Sequence, residues 1–198
     1  MLNRRLFAQG IAATGLVIGA SPAFAMIGED IALPPAPLEG VNIAPELYPT
    51  ILRVKHDFEP GSIIVISSQH FLYYIARQGI AIRYGVAVGK AELVFRGECV
   101  VGKKVEWPSW KPTPEMIERN PKAYKKYEDG MPGGPTNPLG ARAMYLYQDG
   151  RDTAIRIHGT TEPNSIGSSV SNGCLRMVNE HAIDLYNRVE LGAPVTVY

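Results

Sequence analysis

From residue 61 onward, apolar positions come in short runs separated by polar turns. "SIIVISS" (62–68) is a brief β-branched run, "FLYYIAR" (71–77) follows Gln69-His70, and "IAIRYGVAVG" (80–89) follows Gln78-Gly79. Three strands joined by tight turns make a meander. "ELVFRGECVVGKKVEW" (92–107) continues the β character, with Gly97 and Gly102 placed as bulges or bends. "AMYLYQDGRDTAIRIH" (143–158) predicts a hairpin around Asp149-Gly150, and "APVTVY" (193–198) a closing strand.

Helical signals are fewer. Thr113 is a capping residue with Pro114 behind it and Glu115 in the first turn, and Asn120-Pro121 opens a second short helix. "VNEHAIDLYNRV" (178–189) has Ala182, Ile183, Tyr186 and Val189 at helical spacing, Asn179 as its cap and Gly192 as its stop. The fold class is therefore mainly β: a β-sandwich-like arrangement of mixed sheets with a few short helices.

Residues 26–60 are proline-rich without a sustained period, which reads as an extended tail or linker partly covering the domain at 61–198. The glycine- and proline-rich stretch 130–140 is a lid, a cleft rim or a structural corner. The first residues change the picture further. "MLNRR" is basic, "LFAQGIAATGLVIGA" is apolar and too short to span a bilayer comfortably, and "SPAFA" ends in an A-x-A pattern. Residues 1–25 are thus expected to be an export signal of the twin-arginine or general secretory kind, with an extracytoplasmic, periplasmic destination. A formal charge of +1 gives no electrostatic case for nucleic acid or an anionic membrane as the main partner.

Export makes the two cysteines, Cys99 and Cys174, a chemical question, because disulfides persist outside the cytoplasm. Cys174 is a small buried hydrophobe, half of a bridge to Cys99, or a nucleophile. Its surroundings suit the third. His158 ends a predicted strand, and the loop 159–173 is long enough to fold back on it, so that an imidazole could deprotonate the thiol. Gly173 lets substrate approach the backbone, and the amides of Asn172, Gly173 and Cys174 could converge on an oxyanion. His56, His70 and His181 lack partners at metal-ligand spacing, so no metal and no cofactor are expected; His70 and His181 are placed at the surface. Cys99 is read as an inert strand thiol. Trp107 and Trp110 line a groove or pack under the proline-rich segment.

"RIHGT" (156–160), "SIG" (165–167) and "SNGCLRM" (171–177), in that order, resemble the signature of the L,D-transpeptidase catalytic domain, the YkuD-like family with periplasmic ErfK/YbiS-type members. "PSWKPTPEM" and "MPGGPTNPLGARAMYLY" also look like segments of that family, and the resemblance runs over about residues 61 to 198. It implies a cysteine acyltransferase of peptidoglycan with Cys174 as nucleophile and His158 as base and later acid. The Gly159 carbonyl would orient the imidazole, and the 172–174 amides would form the oxyanion site. Arg176, Ser171 and Thr160 are the implied substrate-side residues, Arg176 being equally readable as a structural ion pair and Ser171 as a loop hydrogen-bonder. The implied partners are peptidoglycan stem peptides and, for one outcome, an envelope protein as acceptor. A cysteine hydrolase of carboxypeptidase or endopeptidase type and a non-catalytic wall-binding module are the alternatives. The sequence departs from the family pattern at Asn172, where histidine is usual. Asparagine cannot titrate near neutrality, so the base falls to His158.

Overall fold

A computed structural model describes residues 31–32 and 34–198; the expected export segment, 1–25, lies outside the described residues. The architecture is the expected mainly-β one with a mixed sheet and short helices. The strands are β1 (Thr50–Arg53), β2 (Ile63–Ile66), β3 (Phe71–Arg77), β4 (Ile80–Gly85), β5 (Val88–Gly89), β6 (Gly97–Glu106), β7 (Arg142–Gln148), β8 (Arg151–His158), β9 (Ser169–Ser171), β10 (Leu175–Arg176) and β11 (Pro194–Val197). The helices are α1 (Pro114–Arg119), α2 (Pro121–Tyr124) and α3 (Asn179–Arg188). Nine strands form one sheet in the order β1-β4-β3-β2-β11-β6-β7-β8-β10, and β5 pairs with β9 in a separate ribbon.

Period-2 alternation explains how that sheet buries its inner face. Ile63 and Val65, Ile80, Ile82 and Tyr84, Cys99 and Val101, Met144 and Leu146, and Val195 and Val197 all enter one core cluster. Ile64, Ile66, Tyr73, Ile75 and Ala81 face the other way and pack with Val54 and Phe58. The β2–β4 region is therefore buried on both faces, which its unbroken apolar runs require. β11 runs parallel to β2 and antiparallel to β6, so the end of the chain joins the first meander to the second half of the sheet.

The tight turns follow their residues. Asp149 and Gly150 both take positive φ, 50° and 74°, as a two-residue hairpin of primed type demands. Gly102 sits where the β6–β7 register shifts, the expected bulge. Thr113 accepts a hydrogen bond from the Met116 amide, and the Asn120 side chain accepts one from Ala123, so both short helices are capped as predicted. The stretch read as a tail is built in at its end: β1 forms the sheet edge against β4, and Leu47 is buried.

α3 differs from expectation in four ways. Its buried face is His181, Ala182 and Leu185, continued by Val189, while Ile183 and Tyr186 are only half-buried. The Tyr186 ring instead receives Lys104 and Arg142 over its face, at 4.4 and 5.4 Å. His181 is fully buried rather than exposed, edge-on to Tyr48 at 5.9 Å. Asn179 does not cap: it is the first helical residue, and its side chain is committed elsewhere. The helix ends at Arg188, with Val189 as its C-cap, and Gly192 (φ 87°) serves the turn into β11. Among the described residues, no helix is long and apolar enough to cross a membrane.

Candidate active site

β8 and β10 are parallel neighbours, with Ile157 opposite Leu175 and His158 opposite Arg176. Continuing that register places Cys174 beside Arg156. Side chains on one strand alternate faces, so Arg156 and His158 share the face of Cys174 and Arg176. That face opens into a groove of about 720 Å³ lined by His158 and Cys174 together with Trp110, Tyr124, Thr160 and Arg176.

The local backbone makes this arrangement possible. Between the pairs at Tyr145 and Tyr147 the β7–β8 register shifts, and Ala154 takes a φ of 61°, rare for a residue with a side chain. The Asp152 carboxylate accepts from the Ala154 amide at 2.8 Å and holds the kink. The kink leaves the Ala154 carbonyl facing the groove, where the Cys174 thiol donates to it at 3.8 Å. The expected hydrogen bond between thiol and imidazole is not formed; the thiol turns to this carbonyl.

His158 is 4 % exposed, and its Nδ1 lies 2.5 Å from the Gly159 carbonyl. A carbonyl can only accept, so Nδ1 carries the proton and Nε2 is left with its lone pair. Burial pushes the imidazole down to about 4, with the Gly159 and Leu139 carbonyls only partly offsetting it and the Arg176 and Arg156 charges adding to it. Burial raises the Cys174 thiol above its ordinary range, opposed by the Arg156 amide and by the charges of Arg156 and Arg176. The resting pair is a neutral thiol and a neutral imidazole.

The loop before the thiol is tied by Ser171. Its hydroxyl donates to the Cys174 carbonyl at 2.6 Å and accepts from the Gly173 amide at 3.1 Å. Ser171 is buried at the groove wall, with its hydroxyl committed to the loop. The Gly173 amide, one of the expected oxyanion trio, is thereby occupied by the Ser171 hydroxyl. Gly173 itself sits at φ 117°, and a Cβ there would press on Ile155 and the Leu93 carbonyl at 3.1 Å.

Arg176 is paired with Glu162 at 2.7 Å and Arg156 with Asp152 at 2.6 Å. Thr160 is buried on the groove wall, where its hydroxyl accepts from the Glu162 amide. Asn172 also lines the groove: its Nδ2 donates to the Tyr124 hydroxyl at 3.1 Å, and its Oδ1 accepts from Arg119 at 3.3 Å. Trp110 lines the groove edge-on to Tyr124 and Tyr127, whereas Trp107 is exposed. The 130–140 stretch is both corner and rim. Buried Asn137 knits it to the Met131 and Pro132 carbonyls and the Leu139 amide, while Thr136 and Leu139 face the groove. Cys99 is buried, its thiol pushed up to about 11, and both cysteines are free.

One residue that matters here escapes sequence reasoning. Asn179 accepts the Ala141 amide at 3.0 Å, and its Oδ1 fills the space that side chains at Gly140 or Gly159 would need. Only an Asn at the start of the helix after the motif hints at it, and that position reads as a cap.

Comparison with known proteins decides the family. A model of the YkuD L,D-transpeptidase catalytic domain matches residues 60–197. The chain belongs to the L,D-transpeptidase catalytic domain family. It is 30% identical over 151 residues to the probable L,D-transpeptidase ErfK/SrfK of Escherichia coli, covering 75% of this chain and 47% of that protein. With the probable L,D-transpeptidase YbiS of the same organism the figures are 32% over 136 residues, 67% and 43%. The chain thus spans about half the length of such curated relatives. Among solved structures, a Brucella melitensis protein described as a probable carnitine operon oxidoreductase is 51% identical, with a TM-score of 0.55 over 76% of this chain and 92% of that one. An Enterococcus faecium L,D-transpeptidase, solved as a cysteine-to-serine variant, shares the fold at 19% identity and a TM-score of 0.53, over 71% and 50% of the two chains.

Proposed function

We propose that this chain is an exported, periplasmic L,D-transpeptidase that transfers a peptidoglycan stem peptide through a thioester on Cys174. The observation that carries the reading is the opening of His158 and Cys174 from adjacent parallel strands into one groove, with His158 held as the Nδ1–H tautomer. Family membership supports the same choice of chemistry.

The neutral pair sets the order of events. A stem peptide enters the groove and the Cys174 sulfur swings from the Ala154 carbonyl toward the carbonyl joining the third residue, a diamino acid, to the terminal D-Ala. As the C–S bond forms, Nε2 of His158 takes the thiol proton. The oxyanion meets the amides of Asn172 and Cys174, donors of a kind worth roughly 2.7–4 kcal/mol each. The carbon–nitrogen bond breaks, His158 returns the proton to the leaving amine, and D-Ala departs. An amine then attacks the thioester: a neighbouring diamino acid gives a 3→3 cross-link, a lysine on an envelope protein gives anchoring. Water would give the tripeptide. The free state of both sulfurs speaks against a wall-binding module with an oxidised cysteine.

Incubation of the exported protein with purified tetrapeptide muropeptides tests the reading. Dimers joined through two third-position residues, with release of D-Ala, are expected. Tripeptide alone would make the protein a carboxypeptidase, and cleavage of existing dimers a hydrolase; either overturns transfer as the activity.

A further inference from the structure

Three arginines line the groove, and they are not alike. Arg156 makes a two-point pair with Asp152, at 2.6 and 2.8 Å, and Arg176 is neutralised by Glu162 at 2.7 Å. Arg119, at the last turn of α1, has no ion pair among the described residues; its guanidinium is held by the neutral Asn172 carboxamide at 3.3 Å. Glu115, one turn earlier on the same helix and also on the groove wall, bonds the Thr113 hydroxyl and feels the Arg119 charge through space without forming an ion pair with it. Asn172 is in turn fixed by the Tyr124 hydroxyl, and Tyr124 rests edge-on against Trp110. A cation has therefore been brought to the groove and aimed by neutral groups, two residues from the thiol's own position in the loop. With only the through-space attraction of exposed Glu115 offsetting it, the guanidinium keeps donors open to something that enters.

Resting on the proposed acyl-transfer reading, we infer that Arg119 is a specificity-determining residue that binds a carboxylate of the acyl-donor peptide, with Asn172 as its positioning residue. A guanidinium with one edge held by Asn172 retains donors for a two-point grip on a carboxylate. The anion has two sources in a tetrapeptide stem: the terminal carboxylate of the leaving residue, or a side-chain carboxylate on the diamino acid. Both present the same planar anion. The asparagine matters because it keeps a neutral acceptor beside the guanidinium at every pH, which a titrating imidazole in that position would not.

The test compares wild type, Arg119→Gln and Asn172→Ala on three synthetic tetrapeptides: the parent, its terminal carboxamide, and its side-chain carboxamide. Thioester formation on Cys174 is read by intact-protein mass spectrometry, and kcat/KM by D-Ala or D-alaninamide release. Wild type is expected to lose about tenfold or more on one of the two amides. Arg119→Gln should lose the same factor on the parent and nothing further on that amide, which names the carboxylate. Arg119→Lys should recover part of the loss, and Asn172→Ala should show a weaker version of the same selectivity. Equal losses by Arg119→Gln on all three peptides, or no loss on the parent, overturn the inference while leaving the thioester reading intact. A wild-type protein that forms no thioester with any peptide overturns both. Arg119 is exposed, so an unchanged thermal midpoint separates these outcomes from misfolding.

Discussion

Asn179 holds the Ala141 amide at 3.0 Å and so pins the start of α3 to the segment that passes beneath the His158–Gly159 turn. Its side chain fills the gap between Gly140 and Gly159, and Gly159 supplies the carbonyl that sets the His158 tautomer. Asn179→Ala removes the acceptor, leaves a buried amide unpaired and opens a gap under the His158–Gly159 turn. A loss of about 1–3 kcal/mol in stability is expected from the unpaired group. Activity at a temperature where the variant is still folded should fall with it, because the imidazole loses its support. Urea denaturation together with acylation rate at low temperature reads both; unchanged activity in a destabilised variant would separate Asn179 from the site.

Ser171 touches the backbone of Cys174, the proposed nucleophile. Ser171→Ala removes the 2.6 Å bond to the Cys174 carbonyl and the partner of the Gly173 amide. The freed Gly173 amide must then turn, altering the donors around the oxyanion. Acylation is expected to slow by at least tenfold, with the melting temperature moving only a few degrees. A variant that acylates at the wild-type rate would show the hydroxyl to be dispensable.

The thiols should differ in reactivity by position and pH. Cys174 stands in an open groove with its thiol above the ordinary range, whereas Cys99 is buried and raised to about 11. Iodoacetamide on the native protein is expected to label Cys174 alone, with an inflection above the usual thiol value of about 8.5. An inflection at or below neutrality would mean a resting thiolate–imidazolium pair, which the depressed His158 argues against.

Two buried histidines, His158 and His181, tie stability to pH. Both are held down to about 4 from the ordinary 6.5 by burial. His181 has both ring nitrogens without a hydrogen-bond partner, faces Tyr48, and has Asp184 one turn away, itself bonded to Tyr84 and Arg188. Between pH 6.5 and 4 the unfolded chain takes up protons that the folded chain refuses. Stability is therefore full above pH 6.5 and falls as the pH drops toward 4. His181→Phe keeps the ring contact and removes one of the two protons. Its stability relative to wild type should improve by about 2 kcal/mol between pH 7.5 and pH 5, read from urea midpoints. Parallel pH profiles for the two proteins would contradict this.

Where local chemistry dictates structure, the sequence is legible. The Asp149-Gly150 turn, the Thr113 and Asn120 caps and the Gly102 bulge follow from residue type at one position. The strand order does not, because β11 enters between β2 and β6 through pairings about 130 and 95 residues apart. The α3 face is misjudged because Ile183 and Tyr186 fit a helical stripe as well as Leu185 does. What decides is that Lys104 and Arg142 cover Tyr186 from β6 and β7, leaving His181 and Leu185 inward. In the site, residues 156–160 and 171–177 announce themselves. Their supports do not: Arg119 and Tyr124 meet Asn172 across about 50 residues, and Asn179 reads as a cap until its partner is seen to be Ala141.

The mass of the protein after a brief exposure to a tetrapeptide stem tests thioester formation on Cys174 most directly. The expected result is one added tripeptidyl group, mapped to Cys174 and absent from Cys174→Ala, with His158→Gln slowing its appearance by at least a hundredfold. A protein that stays unmodified while folded, that carries the group on Cys99, or whose exported form bridges its two sulfurs would contradict it.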